Sequence, residues 1–339
     1  MNEIVKRKQY VKYIIVGVVC FVFLIVITLL IYILTRKKKG IPFYLTYGTS
    51  NMVLNKKPIF HIEDRASKFI FHWFNYMIAG FRHLGSTNSL KGTDGSGSFY
   101  QNSENIDFNN LDLSFPLKVY IPTLPNPLIS YQAETFDILK DKFQLVSKSD
   151  FSINDIVINN YGEYILNSDY HICSKAYEYL RELFLSRVKL RNNFKGKQYY
   201  VSRSKSHLLE GNASYSFIKR RHIFNDSEVI DFLGKFGIET IFLEDFSVEE
   251  KIQIFQEADL IISPGSGGLT FTLFCQPTIK IVEINTTFPS QISRQYQDQC
   301  RYLNVPYFKY VCDKYDSLDN MTINVEDFAN FLIWNKILV

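Results

Sequence analysis

The chain has 339 residues but only five cysteines, and no two of them stand as Cys-x-x-Cys. Cys20 lies inside an apolar run. Cys173, Cys275, Cys300 and Cys312 have spacings that match no zinc pattern, and one or two disulfides among them stay open with no pairing assigned. No Gly-Lys-Ser/Thr is present, so the phosphate loop of P-loop nucleotidases is excluded, and no internal repeat is visible. A nucleic-acid-binding surface is also excluded by what the charge lacks. The formal net charge is +4, yet Lys6, Arg7, Lys8, Lys12, Arg36, Lys37, Lys38 and Lys39 alone supply eight cations, so the remainder stands at about −4.

Those cations flank what is present in excess, an uncharged run from Tyr13 to Leu34. About 20 apolar residues in a helix cross a ~30 Å hydrocarbon core, whereas the apolar part of a cleaved signal is about 7–15 residues long. A retained single-span anchor is expected, with Tyr13 and Tyr32 at the interfaces. Cations lie on both sides, so charge gives no vote on orientation. A short basic tail before a large C-terminal domain gives the type II layout, with that domain in the ER or Golgi lumen or otherwise extracytoplasmic. Asn-x-Ser/Thr sequons at Asn212, Asn225, Asn285 and Asn320 are compatible with a glycoprotein on that side, but an Asn-rich chain produces several by chance.

The domain plan is a basic tail (1–12), the anchor (13–34), a basic stem (35–57), an N-terminal domain (58–195) and a C-terminal domain (196–339). Residues 61–84 carry apolar side chains at helical spacing. Residues 85–110, rich in Gly, Ser and Asn, read either as disorder or as an active-site lid. Strands are expected at "LKVYIP" and "DIVINNYGEYIL", and an amphipathic helix over 174–191. From Lys197 onward strand and helix alternate. "KQYYVSR", "IETIFL", "DLIIS", "IKIVEI" and "PYFKYV" are the strands. The helices begin near Asn225 or Asp226 as N-cap, at Ser247 with Glu250 completing a capping box, at Leu269, at Ser290 and near Val325. This alternation is the pattern of a parallel sheet covered on both faces.

Within it, Pro264–Thr270, "PGSGGLT", joins a strand end to a helix start, where free amides and the helix dipole suit a phosphate. Gly265, Ser266, Gly267, Gly268, Leu269 and Thr270 are the candidate contacts; the plain alternative is a tight turn needing positive φ. Ser202 and Arg203 emerge from a strand at the same edge, and Arg220 and Arg221 precede a helix. Guanidinium forks there can hold a diphosphate, and Glu283 can accept from ribose hydroxyls.

Ser202-Arg203, Arg221, Asn225, Glu228, Val229, the run "VEEKIQIFQEADLIIS", the glycine turn with Leu269-Thr270, and "VEI" together resemble glycosyltransferase family 61, which includes protein O-GlcNAc, xylosyl- and arabinosyltransferases. The likeness covers roughly Tyr199–Ile284. It implies an α/β, GT-B-like fold, with two Rossmann-like domains facing a cleft and the C-terminal one holding a nucleotide sugar. The implied reaction is inverting transfer without a metal or other cofactor, from a donor such as a UDP-sugar to a glycan or glycoprotein. No Asp-x-Asp triplet is present to hold a donor-bound cation. The base that inversion needs is expected from the N-terminal domain, with His61, Glu63, Asp64, His83, Asp94 and His171 as candidates. Where the family carries a histidine and an asparagine about the turn, this chain has Pro264 and Phe271, which raises the alternative of an inactive, membrane-bound binding or scaffold protein.

Overall fold

The computed structural model describes residues 43–45, 57–62, 116–121, 130–150, 155–160, 174–205, 220–286 and 291–338. Two five-stranded, wholly parallel sheets organise them. The first is built from β1 (Phe43–Leu45), β2 (Lys57–Ile62), β3 (Leu117–Tyr120), β4 (Phe143–Leu145) and β5 (Asp155–Asn160), in the order β1-β5-β2-β3-β4. Helix α1 (Ser130–Ile138) connects β3 to β4, and α2 (Ser174–Leu185) leads toward the second sheet.

The second sheet contains β6 (Gln198–Val201), β7 (Glu239–Ile241), β8 (Leu260–Pro264), β9 (Lys280–Thr286) and β10 (Tyr307–Cys312). Interleaved with them are α3 (Asp226–Gly234), α4 (Val248–Glu257), a 3₁₀ segment (Gly267–Phe274), α5 (Gln291–Tyr302) and α6 (Val325–Trp334). The sheet order is β10-β9-β8-β6-β7, so the chain reverses direction between β6 and β8. Doubly wound sheets bind ligands at such a switch point, beyond the carboxyl ends of the two strands.

Alternate residues of these strands serve different faces. Tyr199, Val201, Ile261 and Ile281 join a cluster with Ile252 and Phe255 of α4 and with Leu269, Phe271 and Phe274 of the 3₁₀ segment. Tyr200, Ile262, Val282 and Ile284 join another with Val229 of α3 and Phe328 of α6. Burial on both faces explains why these strands read as nearly unbroken apolar runs. The first cluster also takes in Val119 of β3, Phe143 of β4 and Leu180 and Phe184 of α2, so one core joins the two sheets. Polar contacts reinforce this: the Val248 amide at the start of α4 donates to the Glu134 carboxylate of α1, and Arg181 donates to the Leu273 carbonyl at 3.1 Å.

Several expectations change. Phe43–Leu45, within the stretch read as stem, pairs with Ile156–Ile158 of β5. His61 and Ile62 end a strand and do not begin a helix; the rest of that apolar stretch lies outside the described residues, as do the anchor 13–34 and the polar stretch 85–110. Among the described residues no helix is long and apolar enough to cross a membrane. The helix expected at Leu269 is a 3₁₀ segment beginning at Gly267. Asn225 stands at the N-cap of α3 but makes no cap bond, because its side-chain amide is committed elsewhere: Oδ1 accepts from the Ile323 amide at 2.9 Å and Nδ2 donates to the Ile323 carbonyl at 2.8 Å. Ser247 and Glu250 do form the expected capping box.

The other sequons are also engaged. Asn285 is buried, donating to Glu283 and accepting from the Thr286 amide, and Asn320 is buried with its Oδ1 on the His222 amide. Asn212 lies outside the described residues. Cys275, Cys300 and Cys312 are buried free thiols, with burial pushing Cys275 well above the usual thiol range, so none of these three forms a disulfide.

Candidate functional site

The site grows from the ends of β6 and β8. Ser202 follows β6 directly, and its amide donates to the Ile241 carbonyl at 3.0 Å. Its hydroxyl is buried and donates to Asp226 at the start of α3, which also accepts from the Tyr200 phenol. Ser202 therefore fastens the strand to the helix. Arg203, one residue on, emerges beside Arg221, Glu244 and Tyr296. Its Nε is enclosed and has no hydrogen-bond partner among the described residues. Burial first, and then the neighbouring Arg221, push the Arg203 pKa down to about 10. A guanidinium held next to another, with an unanswered N–H, is chemically able to bind an anion.

Arg221 has φ of 62°, the left-handed region that a residue with a Cβ seldom adopts. The adjacent arginines consequently have different partners. Arg220 donates to Asp319 at 2.7 Å, whereas Arg221 donates from Nη1 to the Gly265 carbonyl at 3.1 Å. Arg203, Arg221 and the glycine turn thus meet at the switch point. Arg220 braces the loop from the other side.

The turn does not use its glycines for a left-handed backbone. Neither Gly265 nor Gly268 has positive φ. A Cβ on Gly265 would lie 2.6 Å from Glu283 Oε1 and 3.0 Å from Asn285 Nδ2, and one on Gly268 would lie 2.6 Å from Leu243 Cδ1. These two glycines let the turn sit tightly on its own protein. The Gly265 amide donates to the Ile284 carbonyl at 2.8 Å, but the amides of Ser266, Gly267 and Gly268 donate to no acceptor among the described residues. Such amides are the orphan donors that open any helical segment, and here they lie just past the end of β8. The Ser266 carbonyl accepts from the Tyr296 phenol at 2.7 Å, fixing the turn against α5. Leu269 and Phe271 point into the core, and Thr270 is buried beside Tyr296.

Glu283 is fully buried, takes the Tyr307 phenol and the Asn285 amide, and has no exposed oxygen for a ribose. Its role is to seat the turn. Of the candidate bases only His61 is described, near the carboxyl end of the central strand β2, in register with Tyr120 and Asn159. Glu63, Asp64, His83, Asp94 and His171 lie outside the described residues. Among the described residues no cluster of His, Cys, Asp and Glu can hold a metal ion.

Sequence reasoning passed over Tyr296, Glu244 and Asp319. Tyr296 is one of the polar-looking residues of an amphipathic helix, and nothing local marks the other two, whose partners are distant in sequence.

A model of the family described as Glycosyltransferase 61 matches residues 70–282, a span that includes β6, the glycine turn and the start of β9. No curated protein matches the chain. That match covers more than half of the sequence, and within it lie the paired parallel strands β6, β7 and β8, Arg203, Arg221 and the turn they approach: the chain belongs to glycosyltransferase family 61 and is a glycosyltransferase.

Proposed function

We propose that this glycosyltransferase is membrane-anchored through residues 13–34 and inverting, with a GT-B arrangement. In this reading it moves a sugar from a nucleotide sugar, taken to be a UDP-sugar, onto a hydroxyl of a glycan or glycoprotein without a metal ion. The observation that carries the donor site is the meeting of Arg203 and Arg221 with three undonated amides at the β6/β8 switch point. The guanidinium groups and the Ser266–Gly268 amides neutralise the diphosphate as the bond from the anomeric carbon to its oxygen breaks. The acceptor oxygen attacks the opposite face of that carbon and yields its proton to a base of the N-terminal domain, for which His61 is the described candidate.

The test is the thermal unfolding midpoint of the full chain in detergent, against nucleoside diphosphates and nucleotide sugars, alongside Arg203→Ala. A ligand at 100 times its Kd adds about 2.7 kcal/mol. A midpoint shift with one nucleotide, lost in the variant, supports the reading; a well-folded sample that responds to none of them sinks it.

A second reading, a domain that no longer transfers sugar, is favoured by Pro264. It is buried at the end of β8 and has no group able to exchange a proton where the family histidine stands. Donor binding without turnover on any acceptor would select it.

A further inference from the structure

The family match ends at residue 282, yet the loop that carries Arg221 is held almost entirely by residues beyond it. The Arg221 amide donates to the Leu318 carbonyl at 3.2 Å, the Met321 amide to the His222 carbonyl at 2.7 Å and the Phe224 amide to the Met321 carbonyl at 2.8 Å. Side chains complete the clasp: Arg220 with Asp319, the His222 amide with Asn320 Oδ1, and Asn225 bracketing both backbone groups of Ile323. Every residue from 220 to 225 except the buried Ile223 enters this ladder through its backbone or side chain, and Ile223 forms an isolated parallel bridge with Met321.

The clasping segment is itself preformed. Asp316 Oδ1 accepts from the amides of Leu318 and Asn320 at 2.8 and 2.9 Å, and Oδ2 accepts from Asn320 Nδ2 at 3.0 Å. Asp319 sits in the left-handed region with φ of 61°, which aspartate tolerates better than most residues. Below it, Asn320, Met321 and Ile323 are buried. A strained residue persists only where its surroundings over-determine it, and here the surroundings of Arg221 are this loop.

We infer that residues 316–323 are a positioning element of the donor site: by pairing with Arg220 and the backbone around it, they hold Arg221 in its left-handed turn with its guanidinium against the Gly265 carbonyl. Asp319 is the key positioning residue. It touches no ligand and acts through Arg221. The inference rests on the proposed phosphate role of Arg221.

The experiment is a double-mutant cycle on the full chain in detergent, with uridine diphosphate as the titrated probe. Asp319→Gly removes the carboxylate and leaves the turn to a residue that adopts it freely. Asp319→Asn keeps an acceptor oxygen and serves as the conservative partner, and Arg221→Lys closes the cycle. Asp319→Gly is expected to weaken UDP binding about tenfold, Asp319→Asn to recover part of that loss, and the effect of Asp319→Gly to shrink to within about twofold in the Arg221→Lys background. A general loss of structure would not depend on the residue at 221.

Unchanged UDP affinity in Asp319→Gly, or an equal loss in both backgrounds, overturns the positioning role while leaving the donor reading intact. If Asp319→Gly fails to fold, the same cycle is run with Asp319→Asn and the same two criteria apply. Absence of UDP binding by the unaltered chain overturns the donor reading, and with it this inference.

Discussion

Arg221 donates to the carbonyl of Gly265 at 3.1 Å across 44 positions of sequence, and that bond ties the loop before α3 to the turn after β8. It also places a second cation beside Arg203, which is already burdened by burial. Two guanidinium groups held this close are electrostatically costly, and a bound anion would relieve that cost.

Arg203→Met therefore separates stability from function. It removes the enclosed charge while keeping much of the side-chain volume, so the ligand-free protein is expected to gain about 1–3 kcal/mol. Any nucleotide-induced rise in midpoint is expected to vanish. Denaturant titration with and without UDP checks both; a loss of ligand-free stability would show that Arg203 holds the fold.

Gly265→Ala and Gly268→Ala both place a methyl group 2.6 Å from a neighbour, but the neighbours differ. Glu283 is buried and bonded to Tyr307 and Asn285, whereas Leu243 can rotate its Cδ1 away. Gly265→Ala is expected to cost about 2–3 kcal/mol and Gly268→Ala less than about 1.5 kcal/mol, measured by chemical unfolding. Equal costs would mean that Glu283 yields as easily as the leucine.

Ser247→Ala removes half of the capping box on α4 and is expected to cost about 1 kcal/mol at neutral pH. The bonds from the Ser247 backbone and then its side chain hold the Glu250 carboxyl below its ordinary value of 4.5. A depressed carboxylate contributes stability above its unfolded value and loses it as pH falls through the folded one. The difference between Ser247→Ala and the unaltered chain is thus expected to narrow below about pH 4.5. Unfolding at pH 7 and pH 3.5 compares them.

Asp316 obeys the same sign. Burial raises its carboxyl, but bonds from the backbone and side chain of Asn320 and from the Leu318 amide outweigh this and keep it below the usual range. As pH falls below the ordinary carboxylate value of 3.8, the 316–320 turn is expected to loosen, with faster hydrogen exchange at Leu318 and Asn320 than in α4. Uniform exchange at both places would remove Asp316 from that role.

The strand and helix alternation after Lys197 was legible because each element is marked locally, by apolar runs, by Ser247 and Glu250, and by glycines near the ends. The meeting of Ser202-Arg203 with the glycine turn was legible too, since parallel strands deliver their carboxyl ends to one edge. What was hidden depends on partners far along the chain. Arg220 and Arg221 look interchangeable as text, yet a left-handed turn set by residues nearly 100 positions away gives them opposite tasks. Glu283 reads as a strand-end acceptor until Tyr307 and Asn285 claim it. Phe43–Leu45 is too short to signal a strand alone and becomes one by pairing with β5.

The asparagines of three sequons are structural joints, and this bears on how the chain can be made. Asn225 and Asn320 join the two loops of the Arg221 clasp, and Asn285 lies under the glycine turn. In a compartment that attaches glycans to nascent asparagines, modification and folding would compete for the same side-chain nitrogens, and a sugar placed first at Asn285 or Asn320 would have no room in the finished protein. Maturation there demands that these sites escape the glycosylating enzyme; synthesis on the opposite side of the membrane involves no such race.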